Sequence, residues 1–195
     1  MLIQKPGLIK KLLYHHNKYI GFCFAGYNLG IKTLNMEAVE AIIETPKGSA
    51  EKYAYDPEKR LFKLKKILPS GMVFPYDFGF IPGTKGGDGD PLDVIVISEF
   101  KSFPGCLLDC RIIGAIIAEQ TEKKETMRND RYIGIPVQGK SFKKIKSIED
   151  LPEEILEELE NFFINYNDLE GKKFKPLKRL DAKEANKEIN KSVHA

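Results

Sequence analysis

The chain has 195 residues, enough for one domain that buries about 70% of the surface its unfolded form would expose. Hydrophobic residues make up 42%, charged residues 30% and aromatics 10%, which excludes collagen-like, mucin-like and disordered chains. The 31 basic and 28 acidic side chains leave a net charge of +3, so no protein-wide field for nucleic acid is expected, though a local basic patch stays open, and no apolar stretch approaches the ~18 residues that span a membrane.

The basic N-terminus, MLIQKPGLIKKLLYHHNKY, lacks the sustained apolar stretch and small-residue cleavage site of a signal peptide. Residues 1–35 carry four glycines among mixed aromatics and fit no regular pattern, so they read as an extension without an assigned role. A single domain is expected over residues 36–195. Ala38–Glu44 is an apolar-rich strand ending at the turn Pro46-Lys47-Gly48. Lys52–Asp56 and Leu61–Ile67 flank Asp56-Pro57-Glu58-Lys59 and read as a hairpin. Val94–Ser98 and Arg111–Ala118 are nearly continuous β-branched runs of the kind found in buried strands, and Tyr132–Val137 is a further strand candidate. Residues 149–170 hold nine acidic and no basic side chains. They read as a helix with a solvated glutamate face, Pro152 in the first turn, Ser147 or Asp150 as cap, and Ile155, Leu159, Phe162 and Phe163 at helical spacing. Residues 171–195 carry a local +5 and include a second amphipathic helix from Ala182 to Val193. Many short strands with late helices give an α+β domain built round a small closed sheet. Cys23, Cys106 and Cys110 form no CxxC pair, which argues against a disulfide framework and fits a reducing cytoplasm. The pair His15-His16 and His194 read as solvated, and Cys106 and Cys110 as packing residues.

The segment richest in chemistry is GFIPGTKGGDGDPLDV, residues 79–94. Asp88, Asp90 and Asp93 fall within six residues after a glycine-rich turn. Carboxylates so close repel one another unless a hard cation with a preference for oxygen, such as Mg²⁺, neutralises them. Extended spacing sends the side chains of 88 and 90 to one side, and Pro91 lets Asp93 return to the same centre. The spacing fits neither an EF-hand nor a P-loop. An acidic surface turn is the plainer alternative, since Asp and Gly are ordinary turn residues.

DGDPLDV resembles the signature of the soluble, magnesium-dependent inorganic pyrophosphatases. Glu44-Thr45-Pro46 with Lys52-Tyr53, the segment Phe74–Thr84, Arg111–Gly114, Ile135-Pro136 and Tyr166-x-x-Leu169-Glu170 are in step with the same family, over roughly residues 36–175. The resemblance implies a five-stranded OB-like closed β-barrel with flanking helices, and hydrolysis of pyrophosphate to two phosphates. It implies Mg²⁺ as cofactor, with other divalent cations as alternatives, pyrophosphate and phosphate as ligands, a cytoplasmic location and a homo-oligomer, dimer or hexamer. Carried over by position, Asp88 and Asp93 are metal ligands, and Glu44 reaches a metal through water. Asp90 orients and deprotonates the attacking water. Lys52, Lys66, Arg131 and Tyr166 contact phosphate, with Lys173 nearby.

Several positions depart from the family pattern. Phe74 and Phe78 stand where it has tyrosines, Ala54 where it has an acid, Lys66 where it has an arginine and Asn167 where it has a lysine. Counting from each end of the stretch between Gly114 and Pro136 puts Gln120 and Asn129 where two further metal-binding aspartates belong. Asp130, Glu119, Glu122 and Glu125 are the candidate substitutes. Losing carboxylates weakens metal binding and leaves the bound water less acidic. Two functions are therefore expected: a divergent pyrophosphatase of reduced activity, or a non-catalytic relative that binds a phosphorylated ligand or a protein partner.

Overall fold

Consecutive β-branched residues offer water no polar face, so the strands they form must be covered on both sides. The computed structural model describes residues 38–193. Expectations placed on residues 1–35, including His15, His16 and Cys23, and on His194 lie outside them. The chain runs β1 (Val39–Thr45), β2 (Glu51–Asp56), β3 (Leu61–Ile67), β4 (Asp77–Phe80), β5 (Asp93–Val96), β6 (Leu107–Glu122), β7 (Glu125–Arg128), β8 (Arg131–Pro136), α1 (Glu153–Asp168), β9 (Lys173–Asp181) and α2 (Ala182–Ser192). A 3₁₀ turn at Ile148–Asp150 precedes α1.

Strands β1, β4, β5, β8 and β6 form a ring that the pairing of β1 with β6 closes, giving the OB-like barrel. The β5–β8 pair is parallel and the other ring pairs are antiparallel. Strands β7 and β9 add to β6 beyond the ring, and β2 and β3 form a separate hairpin. Side chains of the ring alternate between two cores. Ile95, Ile133 and Ile135 meet Leu156, Leu159 and Phe163 of α1. Val94, Val96 and Tyr132 join Ala41 and Ile43 of β1 and Ala185 and Ile189 of α2. Cys110 packs wholly inside the second core, where burial pushes its thiol up to about 12.

Three strands were not expected from the sequence. β9 reads as a lysine-rich tail, yet Phe174 and Leu180 are buried and Pro176 sits opposite Ala118, where the register with β6 shifts, which is where a strand tolerates proline. Beyond Ala118, where the expected strand ends, β6 runs on to Glu122 and turns through Lys123 and Lys124 into β7, a strand the sequence did not suggest. Both lysines adopt positive φ (50° and 73°) rather than the Asn-Gly that such a turn favours. β4 is short and follows Pro75, which hides its alternation. The capping expectation is also corrected. Ser147 and Asp150 cap the 3₁₀ turn, with Asp150 Oδ2 accepting from Lys146 and Ser147 N–H at 2.7 and 3.0 Å, and Pro152 occupies the cap position of α1. The glutamate face is mostly exposed as expected, but Glu153 and Glu160 bind Arg179 of β9 at 2.6 and 2.8 Å, tying the acidic helix to the basic strand beside it.

Gly79 sets the closest approach in the ring. A Cβ there would lie 2.0 Å from the backbone oxygen of Ile42 on β1. Gly79→Ala is expected to lower unfolding free energy by about 3 kcal/mol, read as a reduced urea midpoint with an unchanged slope.

Candidate active site

Thr84 fixes the base of the acidic loop between β4 and β5: its hydroxyl donates to Ile81 O at 2.6 Å and accepts from Leu92 N–H at 2.9 Å. Within the loop, Gly86 N–H donates to Asp90 O at 2.7 Å and Asp90 N–H to Asp88 Oδ1 at 3.1 Å. Asp88 and Asp90 are left exposed at the rim, while Asp93, the first residue of β5, is drawn inward. With Asn129 and Asp130, Asp88 and Asp93 line a cleft of about 290 Å³.

Behind the acidic rim stands a basic wall. Arg131, the first residue of β8 and buried, places Nη1 2.7 Å from Asp93 Oδ2. The same nitrogen donates to Asp130 O at 2.9 Å, to Asn129 O at 3.2 Å and to Asn129 Oδ1. Its guanidinium lies over the rings of Phe163 and Phe174, 4.9 and 5.2 Å from their centroids. Lys52 of β2 has its ammonium 4.3 Å from the centre of the Phe78 ring and 5.6 Å from those of Phe74 and Tyr166. Burial in this aromatic setting pulls its ammonium down to about 8, against the opposing pull of Asp93 and Glu44. Lys66 of β3 sits 4.1 Å above the Tyr166 ring and pairs with Glu170 at 2.8 Å.

Burial pushes the Glu44 carboxyl up, although Tyr55 N–H donates to it at 2.8 Å and Lys52 lies nearby. Asp93 is pushed up chiefly by burial and further by Asp88 and Asp90, against Arg131 and Lys52. Burial likewise raises Tyr166. Glu44, Lys52, Asp93, Arg131 and Tyr166 thus share one electrostatic neighbourhood, which Asp88 and Asp90 join from the rim and Lys66 through the Tyr166 ring. Asp130 lines the cleft but its carboxylate is engaged elsewhere: Oδ1 accepts from Ala118 N–H at 3.1 Å and Oδ2 from Arg128 Nε at 2.6 Å. Among the described residues no set of three or more His, Cys, Asp or Glu side chains stands ready to hold a metal ion together. The donors in the cleft are nonetheless all oxygen, and Asp93 gains charge-compensation from any cation beside it, which fits a hard divalent ion.

The inorganic pyrophosphatase family model matches residues 41–195. The inorganic pyrophosphatase of Geobacillus stearothermophilus is 42% identical over 135 residues, covering 69% of this chain and 79% of that protein. That of Halalkalibacterium halodurans is 40% identical over 154 residues, 79% of this chain and 92% of the relative. The chain belongs to the inorganic pyrophosphatase family. The crystal structure of the Thermus thermophilus inorganic pyrophosphatase superposes with a TM-score of 0.76 at 34% identity, covering 85% of this chain and 95% of that one.

The departures from the pyrophosphatase pattern take up structural roles. Phe74 and Phe78 stack against each other and against Phe162, Phe163 and Tyr166, so the missing hydroxyls give way to an apolar cage around Lys52. Asn167 is buried and donates to Phe163 O at 2.8 Å, inside α1. Gln120 and Asn129, one turn of hairpin apart, hydrogen-bond to each other, Asn129 Nδ2 to Gln120 Oε1 at 3.0 Å. Sequence reasoning missed Glu170 as the partner of Lys66, the stacking of Phe163 and Phe174 on Arg131, and Arg128 as the partner of Asp130. Only the last left a trace, as two charges of opposite sign two residues apart on an extended segment.

Between pH 8 and about 10.5 the unfolded chain holds a proton on Lys52 that the folded chain has released. Stability therefore gains from this group as pH rises through that window. Lys52→Met is expected to flatten the gain, measured as unfolding free energy at pH 8, 9 and 10; an equally steep profile in the variant contradicts the assignment.

Proposed function

We propose that this chain hydrolyses pyrophosphate to two phosphates with Mg²⁺ held by Asp88 and Asp93. The observation that carries the reading is Asp93, which lines one cleft with Asp88, lies 2.7 Å from Arg131 and shares its electrostatic neighbourhood with Asp90 and Lys52. When bound, Mg²⁺ neutralises substrate charge and lowers the pKa of bound water. Asp88 and Asp93 would hold the ion, and Glu44 would reach it through water. Asp90, exposed and without a charged partner among the described residues, orients the attacking water and takes its proton as oxygen bonds to phosphorus. The bridging P–O bond breaks, and the electron pair leaves with the departing phosphate. Lys52 and Lys66 bind its oxygens, and the hydroxyl of Tyr166, whose ring lies near both ammonium groups, donates to them. Homo-oligomeric assembly and a cytoplasmic setting, expected from the family, belong to the same proposal.

The departures set the rate. Lys66 offers a point charge where the family has a two-pronged guanidinium, and Glu170 competes for it. Amides at 120 and 129 subtract two negative charges from the metal side. Turnover below that of a relative with all these groups follows, without loss of the reaction type.

Asp90→Asn tests the assignment. Phosphate release from pyrophosphate in Mg²⁺ is expected to fall at least about 10²-fold, while unfolding free energy stays within about 0.5 kcal/mol because the side chain is exposed. Equal rates in the two proteins, or a matching loss of stability, contradict it.

A further inference from the structure

Four oxygens surround the Nη1 nitrogen of Arg131: Asp93 Oδ2, Asp130 O, Asn129 O and Asn129 Oδ1. A carboxylate, an amide oxygen and two backbone carbonyls are the ligand types that hard divalent cations take. An Nη nitrogen has two hydrogens, so four acceptors around it exceed what hydrogen bonding alone requires.

We propose that the Arg131 guanidinium is this chain's built-in cation, with Nη1 filling an oxygen-lined position between Asp93 and Asn129 that a divalent ion would otherwise take. Three further features support it. Phe163 and Phe174 present their ring faces to the guanidinium and hold it in the cleft wall. Gln120 Oε1 accepts from Asn129 Nδ2, which turns Asn129 Oδ1 toward Arg131. Neutral amides at 120 and 129 suit a site already neutralised from within: two carboxylates at 3.0 Å would repel unless a metal ion of higher charge lay between them. Arg131 Nε is buried with no hydrogen-bond partner among the described residues, a cost accepted to aim Nη1 at this position.

The inference deepens the proposed function. It revises the role carried over for Arg131 from phosphate contact to charge compensation at Asp93, making it a positioning residue, and leaves a divalent ion to Asp88 and the other carboxylate oxygen of Asp93. The extra charge is a monovalent group that releases no proton from water, which accounts for a slower reaction with the same chemistry.

The test counts metal without substrate, so it stands apart from any measurement of turnover. In equilibrium dialysis against Mn²⁺, Arg131→Gln is expected to bind one ion more per chain than the wild type. Equal counts overturn the proposal, including the case in which neither protein binds Mn²⁺. Should the variant fail to fold, crystals of the wild-type protein grown in Mn²⁺ decide. The expected result keeps Arg131 on Asp93 and gives no anomalous peak among the four oxygens. A peak there with the guanidinium displaced overturns the proposal. Wild-type protein that binds no Mn²⁺, with a variant that binds one, supports the built-in cation while contradicting the metal-dependent reading of function.

Discussion

The Arg131 side of the site hangs from β6, because a sixteen-residue strand through the middle of a protein must satisfy its backbone groups along both edges. One edge is met by β8 and then β7, the other by β1 and then β9. Those four pairings close the barrel and fix what the barrel carries. Pairing with β8 sets Arg131 beside β5 and hence beside Asp93. The β6–β7 hairpin brings Gln120 within reach of Asn129. The pairing with β9 places Phe174 against the guanidinium. Gly114 allows this crowding, since a Cβ there would come within 2.6 Å of both Ile148 and the Leu180 oxygen.

On that scaffold the cleft places opposite charges under apolar walls. Desolvation raises the carboxyls of Glu44 and Asp93 and lowers Lys52, so each charge depends on its opposite across the cleft. A phosphate group entering such a site meets the poorly hydrated ammonium of Lys52, and a cation meets carboxylates that lack full compensation. Both ligands are thereby favoured, and Arg131 supplies part of the compensation before either arrives. The near-zero net charge of the whole chain says nothing of this, because the two sets cancel in the sum while standing apart in space.

Much of the architecture was legible where one physical pattern dominated. Residues 94–98 and 111–118 announced strands covered on both faces, and the glutamate-rich stretch announced α1. What stayed hidden depended on partners distant in the chain. β9 looks like a basic tail until Glu153 and Glu160 take up Arg179 and β6 takes up its backbone. Lys123-Lys124 carries none of the usual residues of a tight turn, so the hairpin behind it leaves no local signal. Counting along the chain offers amides at 120 and 129, but their bond to each other and through Asn129 to Arg131 required the hairpin register. Asp130 looked like a spare ligand because its partner Arg128 and the Ala118 amide are visible only in three dimensions.

The central claim is that an acidic rim and a basic wall, partly neutralised from within, still hydrolyse pyrophosphate with a divalent ion. Following pyrophosphate and phosphate by ³¹P NMR in the presence of the protein, with Mg²⁺ and then with excess EDTA, tests it most directly. The account predicts two phosphates formed for each pyrophosphate lost in Mg²⁺, and none formed in EDTA. Pyrophosphate that persists unchanged at every Mg²⁺ concentration contradicts it.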